Sequence, residues 1–196
     1  MRNASYSSQK FLSSAGNSLS PFDNFFKTIP CVIKDIEYEY DGLGIVDPQE
    51  KFRTCSLDYQ KPSTNVVNPG EFLKITALQL ENFKHFPQIT SKFPTLTLIK
   101  IINSNFNDIP QICTARLKII LLHNVTADRL DLNGCNRLTY FAHESSELAR
   151  VDANAFHDLT QLSHLSLKGN KIERLPEGIF ASLKRLAFLQ LAENQL

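Results

Sequence analysis

The sequence predicts an α/β fold: a curved solenoid with a parallel β-sheet on its concave face, irregular or short helical segments on its convex face, and an N-terminal cap. Two observations predict the solenoid. The pattern LxxLxLxxNxLxxL begins at Leu162 and recurs 24 residues later at Leu186. Weaker copies precede it, at spacings of 24 and then 21 residues. One such unit cannot bury its apolar face alone, so the units must stack.

The repeats define the core of the predicted fold. The clearest unit consists of Leu162, Leu165, Leu167, Asn170, Ile172, Leu175, Ile179, Phe180 and Leu183. Earlier units begin at Leu138, Leu117, Leu96 and Ile75, and the last unit ends at Leu196 after its strand. Each LxxLxL segment is expected to form a short strand with its leucines in the core. The position of the Asn in the pattern, which we call the Asn slot, is expected to turn the chain. Because the last unit lacks its convex half, we expect a truncated or fragmentary chain.

Composition divides the chain into three segments: a Ser/Asn-rich, disordered arm at 1–30, a cap at 31–74 and about six repeats at 75–196.

The formal net charge of +1 gives no reason to expect nucleic acid as a partner. No run reaches the roughly 18 apolar residues of a spanning helix, and the first thirty residues have no signal-like apolar stretch. Membrane attachment is therefore expected only through a missing segment, and a signal peptide would also have to be missing.

Four cysteines fall into two pairs. Cys31 and Cys55 lie in the cap segment, where a disulfide would close a small β element over the exposed edge of the first repeat. The alternative is a pair of reduced, buried thiols. Cys113 and Cys135 lie on the convex side of adjacent repeats. We interpret these two as core cysteines, because an unpaired cysteine packs as a small hydrophobic residue.

The strand pattern also predicts a binding surface. Side chains alternate across a strand, so the third, fifth and seventh positions of each LxxLxLxx segment lie on the concave face. Stacking of the units turns these positions into three columns. The first column is unusually apolar, which is typical of a protein-binding site. The predicted partner-binding residues are Leu98, Ile119, Leu121, Tyr140, His164 and Phe188 with the neighbouring Lys100, His123 and Lys168. The alternative is that the cap or a neighbouring loop covers part of this face.

Catalytic and cofactor motifs are missing. No HExxH, GxSxG or phosphate-binding loop occurs, so we expect no enzyme, no small-molecule substrate and no cofactor. His123 and His164 are expected on the concave face but two repeats apart, about 10 Å, too far to share a metal ion. His143 falls in an inward slot, which predicts a hydrogen-bonded core histidine.

The units resemble those of extracellular insect leucine-rich-repeat proteins, a group that includes Toll-type receptor ectodomains, chaoptin-like adhesion proteins and mosquito-type immune proteins. The phrase LPEGIF at 175–180 is similar to the LPxxxF of the secreted and receptor class, and LDLNGC at 130–135 is similar to the immune group. KFPTL at 92–96 resembles the entry to that group's repeats. The resemblance covers 31–196, most closely from Leu117. This chain departs from the group in lacking a signal peptide, a C-terminal cysteine cap and a membrane segment.

The resemblance implies a protein-recognition module in an extracellular or cell-surface setting, with a protein ligand or co-receptor as partner. Immune recognition, a receptor ectodomain and adhesion all fit the group, and a homodimer or heterodimer is left open. Asn124-Val125-Thr126 and Asn3-Ala4-Ser5 are glycosylation sequons that agree with this compartment. The alternative is a cytoplasmic leucine-rich-repeat scaffold or regulatory adaptor with four reduced thiols.

Overall fold

The structure is a computed structural model that describes residues 29–30, 32–37, 51–61, 66–67, 69–85, 93–109, 112–130 and 132–196. Its elements in chain order are β1 (Ile29–Pro30), β2 (Val32–Glu37), β3 (Lys51–Asp58), β4 (Val66–Val67), α1 (Pro69–Phe72), β5 (Ala77–Glu81), β6 (Leu98–Ile109), β7 (Ile119–Leu130), β8 (Tyr140–Glu144), β9 (His164–Ser166) and β10 (Phe188–Gln190). In the part of the chain so described, no helix is long and apolar enough to cross a bilayer.

One eight-stranded sheet organises the repeats. Its order is β10-β9-β8-β7-β6-β5-β3-β2, and every pair from β3 to β10 is parallel. The residues of the predicted first column are in register across the sheet, because each is the strand partner of the next. In order they are Ala77, Leu98, Ile119, Tyr140, His164 and Phe188. This arrangement confirms the predicted solenoid. A slip of one residue would move every leucine from the core to the opposite face.

The leucine slots build a continuous core, as predicted. Four of these side chains are fully buried, namely Ile99, Ile120, Leu165 and Leu167. They belong to one cluster that runs from β3 to the last units. Leu189 departs from the prediction, since it is 39% exposed although it occupies the same slot as Leu165. The reason is that β10 is the edge strand of the described sheet and has a neighbour on one side only.

The Asn slot satisfies backbone groups between repeats. Asn170 donates from Nδ2 to the carbonyl oxygens of His143 (2.6 Å) and Leu167 (2.9 Å), and its Oδ1 accepts from the Leu148 N–H (3.2 Å). Asn194 repeats this pattern one unit later. Serine takes this slot in two earlier units: Ser104 Oγ and Ser146 Oγ each accept from a backbone N–H of the preceding repeat and donate to a carbonyl two residues back.

The region before residue 75 is continuous with the repeat sheet. β2 pairs antiparallel with β3, and β3 pairs parallel with β5, so that Cys55 lies beside Leu78 in the ladder. Cys55 is fully buried and disulfide-bonded. Cys31 lies outside the described residues, as does Asn3, so the Cys31–Cys55 pairing stays a prediction. The repeat pattern did not predict that β3 takes the position of a repeat strand in the sheet.

The interpretation of Cys113 and Cys135 as unpaired core cysteines is wrong. They form a disulfide, with a Cα–Cα distance of 5.1 Å and a sequence separation of 22. Stacking brings residues about one repeat apart into contact, and this distance suits a disulfide. In the chain-entropy model, closing a loop of this length contributes about 3 kcal/mol of stability. The bond also joins two neighbouring convex turns.

Candidate protein-binding face of the sheet

The sheet has two faces. One carries the core, and we call the other the outer face. On the outer face, the three predicted columns lie in adjacent positions, because residues two apart along a strand share a face. The second column runs in register from Gln79 through Lys100, Leu121, Ala142 and Ser166 to Gln190. The fold thus brings the predicted partner-binding residues together on one surface.

Aromatic rings stack along the first column. Tyr140 and His164 have ring centroids 6.0 Å apart with planes 17° from parallel, and His164 and Phe188 are 5.9 Å apart at 27°. The Ser163 hydroxyl lies 2.8 Å from His164 Nδ1. Burial lowers the pKa of His164, which favours the uncharged form of its ring. The stack therefore presents uncharged aromatic surface.

Burial divides the predicted binding residues. A second apolar cluster occupies the outer face, and its members are at most 8% exposed: Phe52, Ala77, Leu98, Ile119, Leu121, Tyr140 and Ala142. His164 and Phe188 are half-buried instead. The burial favours the alternative in which the cap or a neighbouring loop covers part of this face. The accessible part of the apolar column thus lies at β9 and β10.

Polar groups flank the stack. The Ser166 hydroxyl donates to the Glu144 carboxylate, and Lys168 forms an ion pair of 3.3 Å with Glu193. His123 is exposed, whereas Lys100 is half-buried. These side chains provide hydrogen-bonding groups beside an apolar centre. Such a combination suits recognition of a protein surface.

His143 is a core histidine, as predicted. It is 4% exposed, and its Nε2 lies 3.0 Å from the Val125 carbonyl oxygen, to which it donates. Burial lowers the pKa of His143, and the hydrogen bond offsets this only in part. Burial thus favours the neutral form of the ring, which packs inside the solenoid. Within the described ranges, no three His, Cys, Asp or Glu side chains are grouped in a way that could hold a metal ion.

A row of left-handed residues borders the outer face, and sequence reasoning missed it. The third column consists of Glu81, Ile102, His123, Glu144, Lys168 and Ala192. In each unit the next residue has positive φ: Asn82, Asn103, Asn124, Ser145, Gly169 and Glu193. Asparagine and glycine tolerate this conformation better than most residues. The repeated Asn at 21-residue spacing was the signal that could have revealed it. Asn124 is exposed and donates from Nδ2 to Asn103 Oδ1 (2.9 Å); its glycosylation stays a prediction.

The C-terminal units match a known protein family. Residues 136–196 match the family described as leucine rich repeat. The chain folds as a leucine-rich-repeat solenoid. The match covers the two regular 24-residue units and the unit before them, while the in-register strands extend the same architecture back to β5.

Known proteins with similar repeats include keratocan from Gallus gallus, 32% identical over 133 residues, which are 65% of this chain and 37% of keratocan. Leucine-rich repeat-containing G-protein coupled receptor 5 from Rattus norvegicus is 26% identical over 149 residues, 66% of this chain and 16% of the receptor. This chain therefore spans well under half the length of either protein. The similarity supports a role in protein interaction.

Among solved structures, the Toll–Spatzle complex of Drosophila has a chain similar to this one, with a TM-score of 0.46 and 18% identity. The alignment covers 73% of this chain and 21% of that chain.

Proposed function

We propose that this solenoid is an extracellular protein-recognition module that binds its partner on the outer, concave face of the sheet. The observation that carries the proposal is the aromatic stack that ends in the half-buried His164 and Phe188. Aromatic side chains at the centre of a polar border are typical of interface hot spots. The binding centre then lies at β9 and β10, toward the C-terminal units, rather than along the whole predicted column.

The shape of the surface supports a protein partner over a small ligand. Residues Tyr140, His164 and Phe188 occupy three adjacent strands, so the stack extends about 10 Å at the usual strand spacing, with Tyr140 buried at one end and the rings of His164 and Phe188 accessible. Glu144 and Lys168 have partners within the chain, which fixes their side chains beside the stack. A pre-ordered aromatic surface with fixed polar neighbours reduces the ordering cost of binding a protein.

The extracellular setting has its own support. Disulfides persist in oxidising compartments, and Cys113–Cys135 is one, with Cys55 bonded as well. One of the similar proteins is a receptor by name. We assign the chain to a narrower group, the insect Toll-type, chaoptin-like or mosquito-type immune proteins, from the sequence segments at 130–135 and 175–180. A cytoplasmic scaffold is the second candidate, and it requires reduced thiols.

The binding face can be tested with a photoreactive residue. We expect p-benzoylphenylalanine in place of Phe188 to crosslink a partner from extracellular fluid, and the same residue in place of Leu73 not to. Leu73 is 63% exposed and lies outside the sheet. The crosslinked protein is then titrated by calorimetry. Combining His164→Glu and Phe188→Glu should weaken its affinity at least about thirtyfold, because a central hot spot contributes 2 kcal/mol or more.

Leu73→Glu is the matched control, since it adds a charge to an exposed apolar position elsewhere and should leave the affinity unchanged. Equal crosslinking from positions 73 and 188, or an unaltered affinity of the double variant, would move the binding site off the outer face. Circular dichroism of each variant checks that the fold is retained.

The compartment is tested by peptide mapping of the full chain expressed with a signal peptide in a secretory host. We expect a linked Cys31–Cys55 peptide pair under non-reducing conditions and glycan on Asn124, with Asn124→Gln as the control for the glycan mass. Asn3 is the second sequon to map. Free thiols at Cys31 and Cys55 together with an unmodified Asn124 would favour the cytoplasmic scaffold.

A further inference from the structure

A groove lined by cations lies away from the outer face. It has a volume of about 670 Å³ and follows the turns that lead into β7 and β8. Arg116, Lys118 and Arg137 line it together with the polar Thr114 and Asn136, and no carboxylate is among the described residues that line it. All three cationic side chains are exposed. We call this surface the cationic groove.

The repeat places like charges side by side. Arg116 and Arg137 each lie three residues before a first-column position, and those positions, Ile119 and Tyr140, are strand partners. Corresponding residues of adjacent repeats are about 5 Å apart along the stack. Across the described ranges, neither arginine nor Lys118 has an ion pair with a carboxylate. None of the described ion pairs therefore compensates their mutual repulsion.

The Cys113–Cys135 disulfide holds the two cationic turns together. Cys113 lines the groove three residues before Arg116, and Cys135 lies two residues before Arg137. Their Cα atoms are 5.1 Å apart. The bond therefore resists the separation that charge repulsion would favour. At the groove wall, the Asp158 carboxylate accepts from the Gly134 N–H and is paired with His157.

We infer that the cationic groove binds the sulfate groups of a sulfated polysaccharide. A linear polyanion carries closely spaced charges, and the groove offers Arg116, Lys118 and Arg137 on two adjacent turns. Guanidinium groups bind oxyanions through paired hydrogen bonds. The choice of a sulfated glycan over nucleic acid rests on the proposed extracellular setting. The anion site itself depends only on the side chains of the groove.

The probe is a heparin dodecasaccharide, titrated against the full chain by calorimetry at several salt concentrations. In counterion release, each cation that pairs with a linear polyanion adds roughly one to the slope of log K against log salt. The double variant Arg116→Gln/Arg137→Gln should therefore lower the slope by about two and weaken binding at least tenfold. Arg150→Gln/Arg174→Gln removes the same charge from two exposed sites outside the groove and should change the slope by less than one.

Unsulfated heparosan of equal length and single-stranded oligothymidylate complete the design, and both should bind at least tenfold more weakly than heparin. The proposal is overturned by no heparin binding at low salt, by equal losses in the two arginine variants, or by equal affinity for oligothymidylate. The His164→Glu/Phe188→Glu variant should keep its heparin affinity. Loss of protein binding and loss of heparin binding can thus be told apart.

Discussion

Asn170→Ala is expected to lower the free energy of unfolding by about 4 kcal/mol. The Asn170 side chain is 5% exposed and satisfies the carbonyls of His143 and Leu167 and the N–H of Leu148. Alanine leaves the His143 carbonyl and the Leu148 N–H without their side-chain partner inside the solenoid, where each unsatisfied group costs about 1–3 kcal/mol, whereas the Leu167 carbonyl still accepts from Asn194 Nδ2. Urea unfolding followed by circular dichroism measures the change.

Asn194→Ala is the matched control. Asn194 makes the corresponding hydrogen bonds one unit later, to Leu167, Leu191 and the Ile172 N–H. It is half-buried, so water can replace the lost partner, and we expect a loss of about 1 kcal/mol. Similar losses at both positions would contradict the view that the Asn slot stabilises the fold by satisfying buried backbone.

Leu165→Ala is expected to cost about 2–5 kcal/mol, through lost apolar burial and the cavity that remains. Leu165 is fully buried in the core of the repeats. Thermal unfolding should show a lower midpoint with the same secondary structure below the transition. Leu167, equally buried in the next inward slot, should behave in the same way.

Leu189→Ala makes the same chemical change at the same slot, since Leu165 and Leu189 are strand partners. Leu189 is 39% exposed at the edge of the sheet. We expect a loss of about 1 kcal/mol or less, because a partly hydrated side chain loses less on truncation. A cost at Leu189 equal to that at Leu165 would mean that β10 is covered by another part of the molecule.

The repeat pattern predicted the strand register well, because alternation leaves little freedom once one face is buried. Ile99, Ile120, Leu165 and Leu167 could be placed in the core from their spacing alone. The candidate site was predictable only in part. Spacing placed Tyr140, His164 and Phe188 in one column, and the structure adds their stacking. The exposure of each residue could not be read from the pattern, since alternation says which face a side chain takes but not what lies over it.

By itself, the sequence determined the solenoid, the inward leucines and the three columns of the outer face, because strand alternation and a 21- to 24-residue period are local properties of the chain. Only the tertiary structure decided that Cys113 and Cys135 bond, that Leu98 and Ile119 are buried on the outer face, and that Leu189 is exposed. Each of these depends on contacts between segments that are distant in sequence or on a neighbour beyond the strand's own repeat, and no local spacing encodes them.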